Sequence, residues 1–138
     1  MTDSPLRFAI VGCGVIAPTH ARCLVELPDA RLIAVCDIVP EKARWLAGEY
    51  DAEMVYTSCE EMLRRDDIDV VDVLTPSGLH ADIGIAAARA GKHVIVEKPI
   101  DVTLEKTDAL ISACQEAGVE LCCISQHRFD PAVVALKQ

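Results

Sequence analysis

The apolar run Leu6 to Val11 ends abruptly in Gly12-Cys13-Gly14, and a helical pattern begins directly behind it. This is G-x-G-x-x-A placed after a strand and before a helix, the setting in which the motif carries meaning. Each glycine has a physical task. Gly12 permits the tight turn off the strand, and Gly14 leaves no Cβ between the backbone amides and a bulky anion. Those amides, with the positive end of the helix behind them, make an anion site that needs no Lys or Arg. Ala17 stands where a third glycine often sits and still lets helix and strand approach closely. Glycine-rich turns after strands are common, so a plain turn remains an alternative.

A second element decides what the anion would be. A dinucleotide fingerprint requires an acid about twenty residues downstream, at the end of the next strand. Asp37 closes the run Arg31-Leu32-Ile33-Ala34-Val35-Cys36 and occupies that place. A carboxylate there accepts the two ribose hydroxyls of an adenosine and repels a 2′-phosphate. No Arg follows it directly, so the reading favours NAD over NADP.

The rest of the chain continues the alternation. A helix is expected from Ile16 to Leu27, with Pro18 in its first turn and His20 as a surface residue. Pro40 opens a second helix whose Trp45 and Leu46 are expected to pack on the sheet. A short strand, Met54 to Tyr56, precedes a capping box, Ser58-x-x-Glu61. The second half begins with the continuous apolar strand Val70 to Leu74. It proceeds through a helix over Leu79 to Ala90, a strand over His93 to Glu97, a helix over Leu104 to Ala117 and a strand over Val119 to Ile124. Asp130-Pro131 reads as an N-cap and N1 pair opening a last helix. Strand-helix alternation of this kind predicts an α/β fold, a doubly wound, mainly parallel sheet in three αβα layers. The chain is 138 residues long, which suits one domain. Half its residues are apolar and few are aromatic, as a buried Val/Ile/Ala sheet requires.

Composition also excludes partners. Thirteen Lys and Arg against 22 Asp and Glu give a formal net charge of −9, which argues against nucleic acid and anionic membranes. The seven cysteines form no C-x-x-C pair and no zinc spacing, so no metal site is expected. Their odd number, several of them inside apolar strands, points to a reducing compartment. The start, Met1 to Pro5, shows no leader pattern, and no apolar run approaches about eighteen residues. A cytoplasmic protein is expected.

Ligands of open parallel sheets bind outside the carboxyl ends of the strands. Besides the glycine turn and Asp37, four stretches meet there: Thr75-Pro76, Glu97-Lys98-Pro99, Gln126-His127-Arg128 and, near a helix start, His80. Packing does not explain an acid, a base and a proline at one strand end. Lys98 there could polarise a carbonyl or assist removal of a hydroxyl proton as hydride leaves the same carbon. A surface lysine beside an ordinary proline turn is the alternative. His127 and Arg128 could clamp an anionic or hydroxyl-rich substrate, or form a solvated charge pair. A histidine at the place of His80 is more often structural than catalytic.

Gly12-Cys13-Gly14-Val15-Ile16-Ala17, Asp37, Thr75-Pro76 with His80, and Glu97-Lys98-Pro99 together resemble the glucose–fructose oxidoreductase/inositol dehydrogenase (Gfo/Idh/MocA) family. The resemblance covers essentially the whole chain. It implies a Rossmann domain over 1–125 that binds NAD(P) through Gly12, Gly14, Val15, Ile16, Asp37, Thr75, Pro76, His80, Glu97 and Lys98. It also implies contact of Lys98 with the substrate hydroxyl and nicotinamide ribose, and a cis peptide before Pro99. Residues 126–138 would begin the helix that connects to a second, α+β substrate domain, absent from this chain, which in the family forms the oligomer interface and supplies an acid/base histidine. The tail from Gln126 to Val133 is similar to the UDP-sugar 3-dehydrogenase branch. The implied activity is hydride transfer between nicotinamide and a secondary alcohol of a sugar or cyclitol, with a homo-oligomer for the full-length protein. The 138 residues alone are expected to bind dinucleotide and turn over poorly. Two other readings of the residues are a non-catalytic NAD-sensing module and a methyltransferase. The latter shares the glycine turn and ribose acid but has no use for Glu97-Lys98-Pro99.

Overall fold

A computed structural model describes residues 4–137. Met1 to Asp3, part of the stretch without a leader pattern, and Gln138 lie outside the described residues. The elements are β1 (Leu6–Val11), α1 (Ala17–Glu26), β2 (Ala30–Cys36), α2 (Pro40–Tyr50), β3 (Met54–Tyr56), α3 (Cys59–Leu63), β4 (Val70–Val73), α4 (His80–Arg89), β5 (His93–Val96), α5 (Leu104–Ala117), β6 (Leu121–Cys123) and α6 (Pro131–Leu136). One sheet holds all six strands in the order β3-β2-β1-β4-β5-β6, with every pairing parallel. The doubly wound α/β architecture read from the sequence is the one observed. Its strand order reverses between β1 and β4, and there a crevice opens at the carboxyl ends.

Strand alternation divides the core into two layers. Phe8 and Ile10 of β1 face Ala17, Ala21 and Leu24 of α1 and Leu46 of α2. Ala9 and Val11 face the other way, toward Ala81 and Ala87 of α4 and Leu110 of α5. Alanines on the inner helix faces let helices settle close to the sheet, so few aromatics are needed. Trp45 corrects an expectation: it is 52 % exposed while Leu46 is fully buried. Adjacent helical residues point about 100° apart, and only one of them can face the sheet. β6 is also shorter than expected. The Val119 amide closes the end of α5 on the Cys114 carbonyl at 3.0 Å and is not spent on pairing.

The turn after β1 is where backbone meets backbone. Gly12 has φ +97°, and a Cβ on it would lie 2.7 Å from the Leu74 carbonyl carbon and 2.8 Å from the Thr75 nitrogen. Its amide donates to the Cys36 carbonyl at 2.8 Å. The turn therefore passes between the ends of β2 and β4 with no room for a side chain.

The sheet also buries a charge. Asp72, 3 % exposed, sits in the middle of β4 and points to the α1 face. His20 meets it from α1, Nδ1 lying 2.8 Å from Asp72 Oδ2. The second ring nitrogen, Nε2, is 3.3 Å from Glu97 Oε1 at the end of β5. His20 was expected on the surface, but its side chain is 12 % exposed. It lies three residues after Ala17 and so shares the buried face of the helix. Burial alone would lower the His20 pKa, but the Asp72 bond and charge, followed by Glu97, raise it above the ordinary 6.5. Burial likewise pushes the Asp72 carboxyl up from the usual carboxylate range.

Two outcomes follow from these placements. Gly12→Ala should destabilise the fold by about 1–3 kcal/mol or more, seen as a lower urea midpoint, because it combines backbone strain with a clash against Leu74. The raised folded-state pKa of His20 means that its proton stabilises the native state fully below about pH 6.5. That contribution is lost as pH rises through the folded value. Urea unfolding should therefore show stability falling above about pH 6.5, by at most about 1.4 kcal/mol per pH unit. A flat profile there would contradict the assignment.

Candidate functional site

At the carboxyl ends of β1, β2 and β4 lies a cleft of about 590 Å³. Gly12, Gly14, Val15 and Ile16 form its floor at the start of α1. Asp37, Ile38 and Val39 follow from β2, Lys42 from the first turn of α2, and Cys59 from α3. Leu74, Thr75 and Pro76 come from the end of β4, with Leu79 and Ile83 beyond. Most of the wall is apolar. The Cys36 thiol, pushed up to about 12 chiefly by burial, remains neutral there.

The floor of the cleft presents backbone donors. Ile16 caps α1 without a side-chain hydrogen bond. Among the described residues, no partner takes the N–H groups of Gly14, Val15 and Ile16. The space a Gly14 Cβ would enter holds no protein atom within 4 Å. Gly12 is thus demanded by the fold, whereas the bareness of Gly14 serves nothing inside the protein. Val15 is fully exposed over this floor. A diphosphate fits such a cradle: free amides, a helix N-terminus and no Cβ in the way.

Asp37 is half-buried across the cleft and is already tied to the loop. Its Oδ2 accepts the Cys13 amide at 2.7 Å and its Oδ1 the Val39 amide at 2.8 Å. An ionised carboxylate offers about four lone-pair positions, so each oxygen retains one for a hydroxyl donor. These two bonds set the aim of the carboxylate and fix its distance from the glycine turn. The sequence did not indicate Lys42, Cys59, Leu79 or Ile83 as lining residues. Ile38 and Val39 did carry a signal, as apolar residues in a turn where polar ones are usual.

Glu97 and Lys98 lie outside this cleft, at the end of β5 and one strand beyond β4. Lys98 is exposed, its amide donates to Glu97 Oε2 at 2.9 Å, and its bond to Pro99 is cis, as the resemblance implied. His80 differs from the expected cofactor contact. It is 1 % exposed, with Nδ1 2.8 Å from the Pro99 carbonyl oxygen and Nε2 2.7 Å from that of Thr75. With both nitrogens engaged inside the protein, it ties the β4 turn to the β5 turn and offers no atom to a ligand. Asp101, unremarked in the sequence, continues the tie by accepting the Ala81 amide at 2.9 Å and the Val102 amide at 2.7 Å.

His127 and Arg128 sit on an exposed 3₁₀ turn, Gln126–Phe129, after β6. Asp130 and Pro131 open α6 as N-cap and N1, as expected, but His127 Nδ1 is 2.9 Å from Asp130 Oδ2 and the Asp130 side chain makes no capping bond. The Arg128 guanidinium stacks 5.5 Å from the Phe129 ring centroid. Neither residue lines the cleft. Among the described residues, no group of His, Cys, Asp or Glu is placed to hold a metal ion, and no helix is long and apolar enough to cross a membrane.

Comparison with known proteins agrees with this geometry. Inositol 2-dehydrogenase of Rhizobium meliloti is 35 % identical over 133 residues, spanning 96 % of this chain and 40 % of the relative. The scyllo-inositol 2-dehydrogenase (NAD(+)) of Bacillus subtilis is 36 % identical over 138 residues, 99 % of this chain and 40 % of the relative. Among solved structures, the WlbA dehydrogenase of Bordetella pertussis, in complex with NADH and UDP-GlcNAcA, superposes with a TM-score of 0.92 at 34 % identity. That match covers 96 % of this chain and 41 % of the other. The chain thus spans about two-fifths of the length of these relatives. Residues 6–125 match the family described as Gfo/Idh/MocA, "Oxidoreductase family, NAD-binding Rossmann fold". The chain belongs to that oxidoreductase family, of which it comprises the NAD-binding Rossmann part.

Proposed function

We propose that this chain binds NAD in the cleft between β1, β2 and β4, as the cofactor half of a dehydrogenase acting on a secondary alcohol of a sugar or cyclitol. The observation that carries the reading is the pairing of two features: the bare, unpartnered amides of Gly14, Val15 and Ile16, and the Asp37 carboxylate held across from them. The amides take the diphosphate, and Asp37 takes the adenosine ribose. Its charge favours NAD over NADP. Thr75 and Pro76 border the path from the diphosphate toward β5.

When bound, nicotinamide supplies a hydride acceptor or donor. The chain contributes position and proton handling around it. Lys98 stands where an ammonium can hydrogen-bond the carbinol oxygen of the substrate and assist its change of protonation. Glu97 fixes the Lys98 backbone. His127 and Arg128 lie on the same end of the sheet, beyond β6, in reach of a polar substrate brought in by a further part of the protein. Residues 1–125 make up the dinucleotide domain, and 126–138 begin the connection toward that part. Inositol and UDP-GlcNAcA, named for the relatives, support a sugar or cyclitol as the substrate class. Full-length protein would assemble as a homo-oligomer in the cytoplasm, where free thiols persist. The charge of −9 speaks against nucleic acid and anionic membranes as partners. A sensing module gains no support, since the relatives compared above are named as dehydrogenases.

Fluorescence titration with NADH tests the reading. The wild-type chain should bind saturably and prefer NADH to NADPH. Asp37→Ala should lose about 1–3 kcal/mol of binding, the usual cost of polar groups left unpaired. Gly14→Val should abolish saturable binding while leaving the urea midpoint unchanged, since no protein atom awaits its side chain. Wild-type protein that is folded yet shows no saturable binding would overturn the proposal.

A further inference from the structure

Gripping a dinucleotide does not require the histidine on α1 or the carboxylates around it, yet they occupy the middle of the fold. Asp72 is buried at the sheet centre, and its Oδ1 has no hydrogen-bond partner among the described residues. Its Oδ2 meets His20 Nδ1 at 2.8 Å, and His20 Nε2 faces Glu97 Oε1 at 3.3 Å. Ionised carboxylates only accept, so each of these contacts needs a proton on the ring. A neutral imidazole supplies one and an imidazolium supplies both. Glu97 Oε2 in turn accepts the Lys98 amide. An unbroken line of contacts therefore runs from a buried carboxylate on β4 to the backbone of the lysine at the end of β5. Downstream, the same turn is held by His80 on the Pro99 carbonyl.

We propose that His20 is a positioning residue: its imidazolium, shared between Asp72 and Glu97, holds the Glu97 side chain against the Lys98 amide, and loss of one ring proton releases that hold. The inference deepens the reading of Lys98 as the residue at the hydride end and rests on it. Among the described residues, the charged groups paired with the ring are Asp72 from β4 and Glu97 from the end of β5. Glu97 itself also faces the Cys123 thiol from β6.

The order of events follows from burial. The Asp72 side chain is 4 % exposed and depends on its one donor, whereas that of Glu97 is 14 % exposed and can turn to water. The proton that remains on a neutral ring stays on Nδ1, toward Asp72. Nε2 then presents a lone pair to a carboxylate, and the two repel. Glu97 swings away and the Lys98 amide loses its acceptor. The raised His20 pKa keeps the line intact to higher pH than an ordinary imidazole would.

Nitrogen-15 NMR of the intact chain, without cofactor, tests this. Both His20 ring nitrogens should carry protons below about pH 6.5, the ordinary imidazole range, and Nε2 should lose its proton first as pH rises. The Lys98 amide signal should shift with the same midpoint, by a larger step than that of Val96. Glu97→Ala should remove the Lys98 step, because no side-chain acceptor is then left for that amide to lose. His20→Asn, if it folds, should remove it too. A Lys98 signal that stays still while His20 titrates would overturn the proposal, as would loss of the Nδ1 proton first or a step that persists in Glu97→Ala. NADH binding is measured separately on the same samples. Its failure would defeat the cofactor reading and leave the coupling standing, while normal binding without coupling would defeat this inference alone.

Discussion

The contact between Gly12 and the end of β4 governs everything at the crevice. A turn that passes 2.7 Å (measured at an added Cβ) from the Leu74 backbone tolerates only glycine, and that closeness is what brings the start of α1 over the switch point. Were the turn displaced outward by even one methyl group, Gly14, Val15 and Ile16 would no longer look into the same space as Asp37. Asp37 reinforces the placement by accepting the Cys13 amide. The same carboxylate therefore does two jobs, holding the loop's shape with one set of lone pairs and presenting the other to the cleft.

A second constraint acts at the opposite end of the crevice. Glu97-Lys98-Pro99 leaves β5 as a short exposed turn, and such turns are ordinarily mobile. Here it is tied from two directions. His20 reaches Glu97 from under α1, and His80 reaches Pro99 from the start of α4, while Asp101 secures the chain beyond. Preorganisation of this sort would serve the proposed hydride transfer, since a misplacement of about 1 Å is costly in rate. The burial of Asp72 would be unfavourable on its own, and it persists because His20 supplies its counter-charge.

Much of this was legible in the chain. Alternating apolar runs and glycine or proline stops gave strand and helix order, since both depend on local pattern and backbone sterics. The two glycines and Asp37 could be placed because their spacing follows from one βαβ unit. The clamps could not be, as they join residues far apart in sequence: His20 to Asp72 and Glu97, His80 to Thr75 and Pro99. Even so, Asp72 left a trace, being a lone acid inside Val70-Val71-Asp72-Val73, where a buried strand admits a charge only with a partner. His20 read as a surface residue because a helix pattern says which face is apolar, not which polar residue on that face finds a carboxylate. Trp45 and Leu46 show the converse limit: a one-position change on a helix moves a large apolar side chain from core to solvent.

The central claim is that bare amides and one carboxylate hold a dinucleotide across the switch point. A crystal structure of the chain grown with NADH tests it most directly. Diphosphate oxygens should lie within hydrogen-bonding distance of the Gly14, Val15 and Ile16 amides, with both adenosine ribose hydroxyls on Asp37. A dinucleotide seated elsewhere, or one whose ribose leaves Asp37 without contact, would contradict it.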